Sequence, residues 1–384
     1  IIAAEWIFHL SILSFMLTIV SVPYNALIIA HEEMSVFAWV SVIDVVLKLL
    51  IVFMLSWFGI DKLVLYGILN LVVVFIIFMI YRVYCKNKFV ESRFRLYWDK
   101  KLFKVMMSYT SWSLWGNIAA IMSSQGVNVL LNMFFGPSVN AARAIAMQVS
   151  GALNRFVQSL QVAINPQIVK SYAAENMTYM NILVCYGAKY NFFILFCISI
   201  PVLINTDLIL NTWLGFIPEY TSMFVRLIII NILIDAISAP LMTSAQATGK
   251  IKLYQTVIGG ILLLNLPFSY IILKMGSEPY VVVYAGIVTS ILAFLARLII
   301  LRNLTSLPVV KYLKEVVGRG ILVSIAVAAL HYLFLIYLFK NLGFWKESIF
   351  IFICVLFAIA IFGLDKTEKK FILIKLKSRI HNYH

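Results

Sequence analysis

Charged side chains are scarce in this sequence. Only 12% of the residues are Asp, Glu, Lys or Arg and 63% are hydrophobic, whereas a soluble globular domain carries roughly a quarter charged residues. Apolar runs of about 20 residues, long enough to cross a bilayer as helices, follow one another along the chain. The alternation of polar and apolar residues that marks barrel strands is missing. These features exclude an ordinary soluble domain and predict an all-α polytopic membrane protein.

Residues for metal, redox and nucleotide chemistry are also few. The four cysteines include no C-x-x-C pair, and the five histidines show no metal-ligand spacing. A Walker A motif is missing, and no connection is long enough to hold a folded catalytic domain. We therefore expect no metal, no cofactor and no enzyme activity.

Acidic residues are outnumbered by basic ones, 16 to 31, which gives a formal net charge of +15. The basic residues gather between the apolar runs, above all in residues 86–101 and 365–384. Short basic connections next to spans mark the cytoplasmic side of a membrane protein. The pattern predicts an inner-membrane protein with a cytoplasmic C-terminus, in contact with membrane lipids and not with nucleic acid.

Charged or turn-rich breaks predict about eleven transmembrane helices. The predicted spans are 6–30, 34–58, 63–84, 102–135, 138–170, 179–205, 219–247, 252–274, 279–301, 317–339 and 344–364.

A short internal repeat suggests how these spans are organised. Ser21-Val22-Pro23, with Ala30 and Phe37 beyond it, matches Ser238-Ala239-Pro240, Ala247 and Tyr254 at the same spacing, 217 residues later. This pattern favours two parallel repeats. The chain starts at Ile1 without a methionine, and we expect the first lobe to be incomplete. The predicted divisions are residues 1–85 for the rest of the N-terminal lobe, 86–101 for a basic linker, 102–304 for a six-helix C-terminal lobe, 305–364 for two additional helices and 365–384 for a basic tail.

Three segments resemble one transporter family. They are residues 132–143 (NMFFGPSVNAAR), 165–172 (NPQIVKSY) and 240–249 (PLMTSAQATG). Their sequence and spacing are similar to the lipid-linked oligosaccharide flippases of the multidrug/oligosaccharidyl-lipid/polysaccharide exporter superfamily. The resemblance implies two six-helix lobes, alternating access, an undecaprenyl-diphosphate-linked sugar as cargo, and polysaccharide polymerase machinery as a partner. The two helices after Pro308 depart from the family pattern.

Ionisable residues at bilayer depth are the candidate site residues, because each needs a partner, a watery cavity or a function. Arg155 and Arg143 lie in the fifth predicted span, where a guanidinium could receive a diphosphate. Arg143 could instead reach the outer interface. Lys48 lies four residues after Asp44, so the two form either an ion pair or part of a cavity wall. Asp235 is either a coupling site or the counter-ion of an arginine on an adjacent helix.

Amide side chains mark the fourth and fifth predicted spans, Gln125 and Asn128 among them. They would be unsatisfied in lipid, so we expect them to join helices or to line a path for sugar hydroxyls. A drug or cation antiporter of the same superfamily remains the main alternative, and it would favour carboxylates in its cavity. A membrane polysaccharide polymerase is a further alternative, although the large loops that it would need are missing.

Overall fold

The computed structural model describes residues 2–57, 61–92, 97–337, 344–366 and 368–370. Within these ranges the chain consists of helices and the turns between them, and no β-strand occurs. The helices form two compact units that divide between Asp99 and Lys100. We call them the N-terminal unit and the C-terminal unit. The division falls inside the basic connection that the sequence predicts as a linker.

Three long helices make up the described part of the N-terminal unit. Asp61 begins the third helix, because its carboxylate accepts a hydrogen bond from the backbone N–H of Leu63 at 2.9 Å. Near the other end of this helix, Tyr81 and Cys85 pack with Ile28 in a small apolar core. The helices are α1 (Ile2–Ala30), α2 (Met34–Trp57) and α3 (Lys62–Lys88).

The C-terminal unit is a larger bundle in which α8 is central. This helix packs against α5, α6 and α11, while α4 packs mainly against α9. The helices of the unit are α4 (Lys100–Phe135), α5 (Pro137–Ala173), α6 (Met177–Ile204), α7 (Thr206–Leu214), α8 (Thr221–Ala247), α9 (Ile251–Leu263), α10 (Asn265–Lys274), α11 (Val281–Thr305), α12 (Val309–Tyr312), α13 (Arg319–Tyr337) and α14 (Phe344–Ala358). Two π-helical turns, Leu313–Gly318 and Ile359–Gly363, precede α13 and follow α14.

The sharp reversal between α4 and α5 follows from two adjacent residues. Gly136 adopts a φ of +82°, a conformation that side chains with a Cβ rarely take. Pro137 comes next and occupies the first turn of α5, where its missing N–H costs nothing. The turn returns the chain into the bundle, and so places Arg143 near the start of a long helix.

Nine of the helical segments in the described residues are long and apolar enough to cross a membrane. The chain is therefore a multi-pass membrane protein. The predicted count of eleven is not confirmed, because polar residues such as Gln148 and Asn154 recur along α5 and the apolar part of the last described helix, Ser348–Gly363, is short. The structure also differs at α7, which forms where the sequence predicts only a connection.

Helix ends recur at the offset of 217 residues found in the sequence. The paired ends are Ala30 and Ala247 for α1 and α8, Trp57 and Lys274 for α2 and α10, and Lys88 and Thr305 for α3 and α11. The starts of α2 and α9, Met34 and Ile251, keep the same spacing. In both sets the first helix packs against the third. These shared bounds support an internal repeat of three helices, each set having a proline in its first helix.

A buried ion pair attaches the segment after α14 to α6. Lys189 and Glu368 are 2% and 8% exposed, and their charged groups are 2.5 Å apart. The hydroxyl of Tyr190 donates to the same carboxylate oxygen at 2.9 Å. Glu368 also accepts from the backbone N–H of Asp365, whose carboxylate accepts from the N–H of Glu368 in return. This reciprocal capping box fixes the carboxylate that neutralises Lys189.

Replacing Glu368 by Gln should lower the free energy of unfolding by about 3 kcal/mol, because Lys189 would keep a buried charge without its counter-ion. Thermal unfolding of the purified full-length protein in detergent measures this loss. Glu175→Gln is the matched control, since Glu175 is exposed on the turn between α5 and α6, and it should leave the midpoint nearly unchanged. Equal destabilisation by both variants would contradict the ion-pair argument.

Candidate functional site

A polar cavity of about 470 Å³ lies inside the C-terminal unit. Its walls come from α4, α5, α8, α11 and the α9–α10 segment. Small side chains on these helices, including Ser123, Ser124, Ser150 and Gly286, leave the space open. Three ionisable residues line it, namely Arg143, Asp235 and Arg297. Most of the helices that enclose it are apolar enough to span a membrane, so these charges lie where charge is expensive.

The three charges lie at different depths. α5, α8 and α11 run in the same direction, because one return crossing separates each from the next. At 1.5 Å per residue, Arg143 is about 9 Å from the start of α5, Asp235 about 21 Å from the start of α8, and Arg297 about 24 Å from the start of α11. Asp235 and Arg297 are therefore near the middle of their helices, and Arg143 is closer to the end where these helices begin.

Arg143 is held by amide groups on α4. Its guanidinium donates a very short hydrogen bond to Oδ1 of Asn128, and Nδ2 of Asn128 donates to Oε1 of Gln125 at 2.9 Å. Asn140 donates to the backbone carbonyl of Asn128 at 3.1 Å. The structure thus joins three predicted site residues in one cluster. Arg143 is only 8% exposed, so its charge points into the bundle and does not reach out to an interface.

Asp235 lies in a second polar cluster. Asn231, one turn away on α8, donates from Nδ2 to the carboxylate at 3.2 Å. The hydroxyl of Ser290 and the positive charge of Arg297, both on α11, are close enough to stabilise the same carboxylate. Nε of Arg297 donates to the hydroxyl of the buried Tyr254 at 3.1 Å. Asp235 thus faces an arginine's charge from an adjacent helix, and its role as counter-ion or as coupling site stays a prediction.

Unused hydrogen-bonding capacity remains on the cavity wall. Oδ1 of Asn231 is buried and has no partner among the described residues. Opposite parts of the wall are already joined, since Asn265 donates to the hydroxyl of Ser123 at 3.3 Å and Ser269 donates to Asn265. The wall therefore contains fixed cations, one carboxylate and a free amide acceptor within the same space.

The other predicted site residues lie elsewhere. Arg155 is exposed on α5 and does not line the cavity, although its neighbour Asn154 does. Asp44 and Lys48 belong to the N-terminal unit and form an ion pair at 2.7 Å, with both side chains partly exposed. The pair is self-contained, as one of the two sequence interpretations has it. A role for Arg155 or Lys48 in a transport path remains a prediction.

Two ionisable residues of the bundle escape the sequence analysis, namely Arg297 and Lys189. Each lies well inside an apolar helix, α11 or α6, and that position is the signal that identifies it. Arg297 completes the cavity cluster around Asp235. Lys189 instead forms the buried pair with Glu368. The position of a charged residue deep in an apolar span thus predicts that it has a partner, but the sequence does not show which residue that partner is.

Two of the segments that carry the family resemblance meet in the bundle. The hydroxyl of Thr243 on α8 donates to Oδ1 of Asn165 on α5 at 3.0 Å. A Cβ on Gly187 of α6 would come within 3.3 Å of the Pro240 ring, so α6 approaches α8 closely there. The third segment contains the α4–α5 reversal and Arg143. The quoted residues therefore shape the bundle around the cavity.

Comparison with protein-family models, with curated proteins and with solved structures gives no match to this chain.

The cavity should be filled with water, and cysteine labelling tests this. In a variant whose native cysteines are replaced, Ser124→Cys should react with a charged, membrane-impermeant thiol reagent, because Ser124 lines the cavity. Ile121→Cys should react slowly, because Ile121 is an exposed apolar residue of the same helix and a thiol ionises poorly in lipid. Protection from later maleimide labelling in membranes measures the difference. Equal protection at both sites would contradict a watery cavity.

Proposed function

We propose that this protein is a transporter that moves an undecaprenyl-diphosphate-linked oligosaccharide across the bacterial inner membrane by alternating access. The observation that carries the proposal is Arg143. This residue is buried, lines the cavity, and is hydrogen-bonded to a neutral amide, with no carboxylate within ion-pair distance among the described residues. A cation of this kind has affinity left for an anion.

The balance of charge in the cavity favours an anionic cargo. The ionisable residues of the cavity wall are two arginines, Arg143 and Arg297, and one carboxylate, Asp235, so their formal net charge is positive. A guanidinium offers a planar fork of donors that matches phosphate oxygens and stays charged at physiological pH. A lipid-linked diphosphate would lose part of its hydration shell on entering the cavity and would gain hydrogen bonds from these N–H donors. The free amide oxygen of Asn231 could accept a hydrogen bond from a sugar hydroxyl.

The helices have features that suit alternating access. Pro166, Pro201 and Pro240 lie inside α5, α6 and α8, where each removes a backbone hydrogen bond. Such positions allow helices to bend when one side of a bundle opens. The ends of the C-terminal unit also differ in charge. Lys250 and Lys252 follow α8, whereas Asp207 and Glu219 precede it. We assign the lysine-rich end to the cytoplasm, on the positive-inside rule.

Restoration of surface polysaccharide in a flippase-deficient bacterium tests the proposal. The full-length protein, supplied with its cognate sugar locus, should restore surface polysaccharide. Arg143→Gln should reduce the restored amount roughly tenfold, because the charged contact to phosphate is lost, and Arg143→Lys should keep part of it. Arg297→Gln should also reduce it, since Asp235 would keep a charge without its counter-ion. Membrane abundance must be matched in every strain.

Arg302→Gln is the matched control, because Arg302 is an exposed arginine on the same helix as Arg297. This variant should restore polysaccharide as well as wild type does. Arg155→Gln belongs in the same series, since it tests the transport-path prediction for an arginine outside the cavity. Failure of the wild-type protein with every cognate locus would overturn the proposal.

A drug or cation antiporter is the second candidate, and Asp235 is the observation in its favour. Its carboxylate lies in the cavity at mid-depth, where a carboxylate could exchange a proton for a cation. In that case wild type would confer resistance to cationic drugs and Asp235→Asn would abolish it. We expect no such resistance, because the positive charge of Arg297 already acts on this carboxylate and would repel a cationic drug.

A further inference from the structure

A second, separate groove lies at the lysine-rich end of the C-terminal unit. Its volume is about 600 Å³. One wall is the first part of α4, from Lys104 to Trp112, and the other is residues 249–252, which include the end of the α8–α9 turn and the first two residues of α9. No residue of this groove lines the polar cavity. It is therefore a distinct feature that the proposed transport site does not use.

Three lysines surround this groove, namely Lys104, Lys250 and Lys252. All three are exposed, and none forms an ion pair among the described residues. The ammonium group of Lys252 lies 5.2 Å from the ring centre of Trp112, in a cation–π contact. The groove thus concentrates positive charge that no carboxylate of the described chain neutralises.

The rest of the groove is apolar and aromatic. Val105, Met106 and Tyr109 lie between the lysine and the tryptophan on α4, and the two aliphatic side chains are largely exposed. Below the groove, α4 and α9 pack so closely that a Cβ on Gly116 would lie 2.0 Å from the side-chain oxygen of Gln255. The groove thus has a cationic rim and an apolar, aromatic wall.

The position along the helices suits the membrane interface. α9 begins at Ile251 and meets α4 near Gly116, so α4 continues beyond the α8–α9 turn for about three to four turns. Tryptophan and tyrosine are typical of the headgroup level, and lysines there are attracted to anionic lipids. A soluble anion would use the lysines but would make no use of Tyr109 and Trp112, which lie nearest the bilayer in this groove.

We propose that this groove binds an anionic phospholipid, with its headgroup phosphate among Lys104, Lys250 and Lys252 and its acyl chains leaving the groove beside Tyr109 and Trp112, toward the bilayer. The lipid supplies the negative charge that the chain lacks at this point. The site does not depend on the identity of the transported cargo, because it shares no residue with the polar cavity.

Quenching of tryptophan fluorescence by brominated lipid tests the site directly. The purified full-length protein is titrated with brominated phosphatidylglycerol or brominated phosphatidylcholine in otherwise identical lipid nanodiscs. Trp112 should be quenched at a lower mole fraction of phosphatidylglycerol than of phosphatidylcholine. The Trp112→Phe variant identifies the contribution of Trp112 to the fluorescence. The preferential quenching by phosphatidylglycerol should be missing from the fluorescence of this variant. High salt should weaken the preference.

Charge-removing variants give the second arm of the test. Lys104→Gln, Lys250→Gln and Lys252→Gln combined should weaken the phosphatidylglycerol preference at least about tenfold, since each lysine near an anionic surface contributes to binding. The matched control replaces three lysines that do not line the groove, Lys62, Lys274 and Lys314, and should keep the preference.

Either of two results would overturn the proposal. One is equal quenching of Trp112 by both lipids, and the other is an unchanged preference in the groove variant. Thermal unfolding of each variant checks that the fold is retained. A preference that persists in Trp112→Phe would place the lipid elsewhere and would count against the groove.

Discussion

The cost of placing charge inside a bilayer is the constraint on which the arrangement of the C-terminal unit depends. An ionisable side chain at the centre of a spanning helix costs roughly 2.5–3.5 kcal/mol on insertion scales unless it finds a partner or water. Three deep charges of this bundle have such partners. Lys189 pairs with Glu368, Asp235 lies in the field of Arg297, and Arg143 is bonded to an amide. These interactions relate α6 to the segment after α14, α8 to α11, and α5 to α4, so the groups that accommodate each charge come from a different helix or segment.

Comparison of the two halves of the internal repeat separates the helical framework, which both halves share, from the charged residues of the cavity, which they do not. Helix ends coincide at an offset of 217 residues, yet the polar groups do not. The positions that correspond to Asp235 and Arg297 are Thr18 and Ile80 in the N-terminal unit. Thr18 donates to a carbonyl of its own helix, and the pocket in that unit is lined by aliphatic and aromatic side chains alone. Helix length and turn position are therefore shared, whereas the charges of Asp235 and Arg297 have no counterpart in the first set.

Much of the helical framework could be predicted from the sequence, because apolar runs and turn residues are local signals. The end of α1 at Ala30 and the reversal at Gly136 lie where the sequence predicts breaks. α7 could not be predicted, since a nine-residue helix between two long ones has no length or period to distinguish it from a loop. Gln125, Asn128 and Arg143 were predicted as separate candidates, but their contact depends on the packing of α4 against α5. The partnership of Lys189 with Glu368, residues far apart in the chain, could not be read from either segment alone.

The two arginines of the cavity have different partners. Arg297 donates its Nε–H to the hydroxyl of Tyr254, and its positive charge acts on the carboxylate of Asp235 without forming an ion pair among the described residues. Arg143 donates to the amide oxygen of Asn128, which satisfies one donor but neutralises nothing. A neutral partner orients a guanidinium without removing its field, and an incoming anion can still bind the remaining donors. Because Arg143 is nearer the start of its helix than Arg297 is, the two guanidinium groups of the cavity lie at different levels, and an anion bound at one level would leave the other cation available.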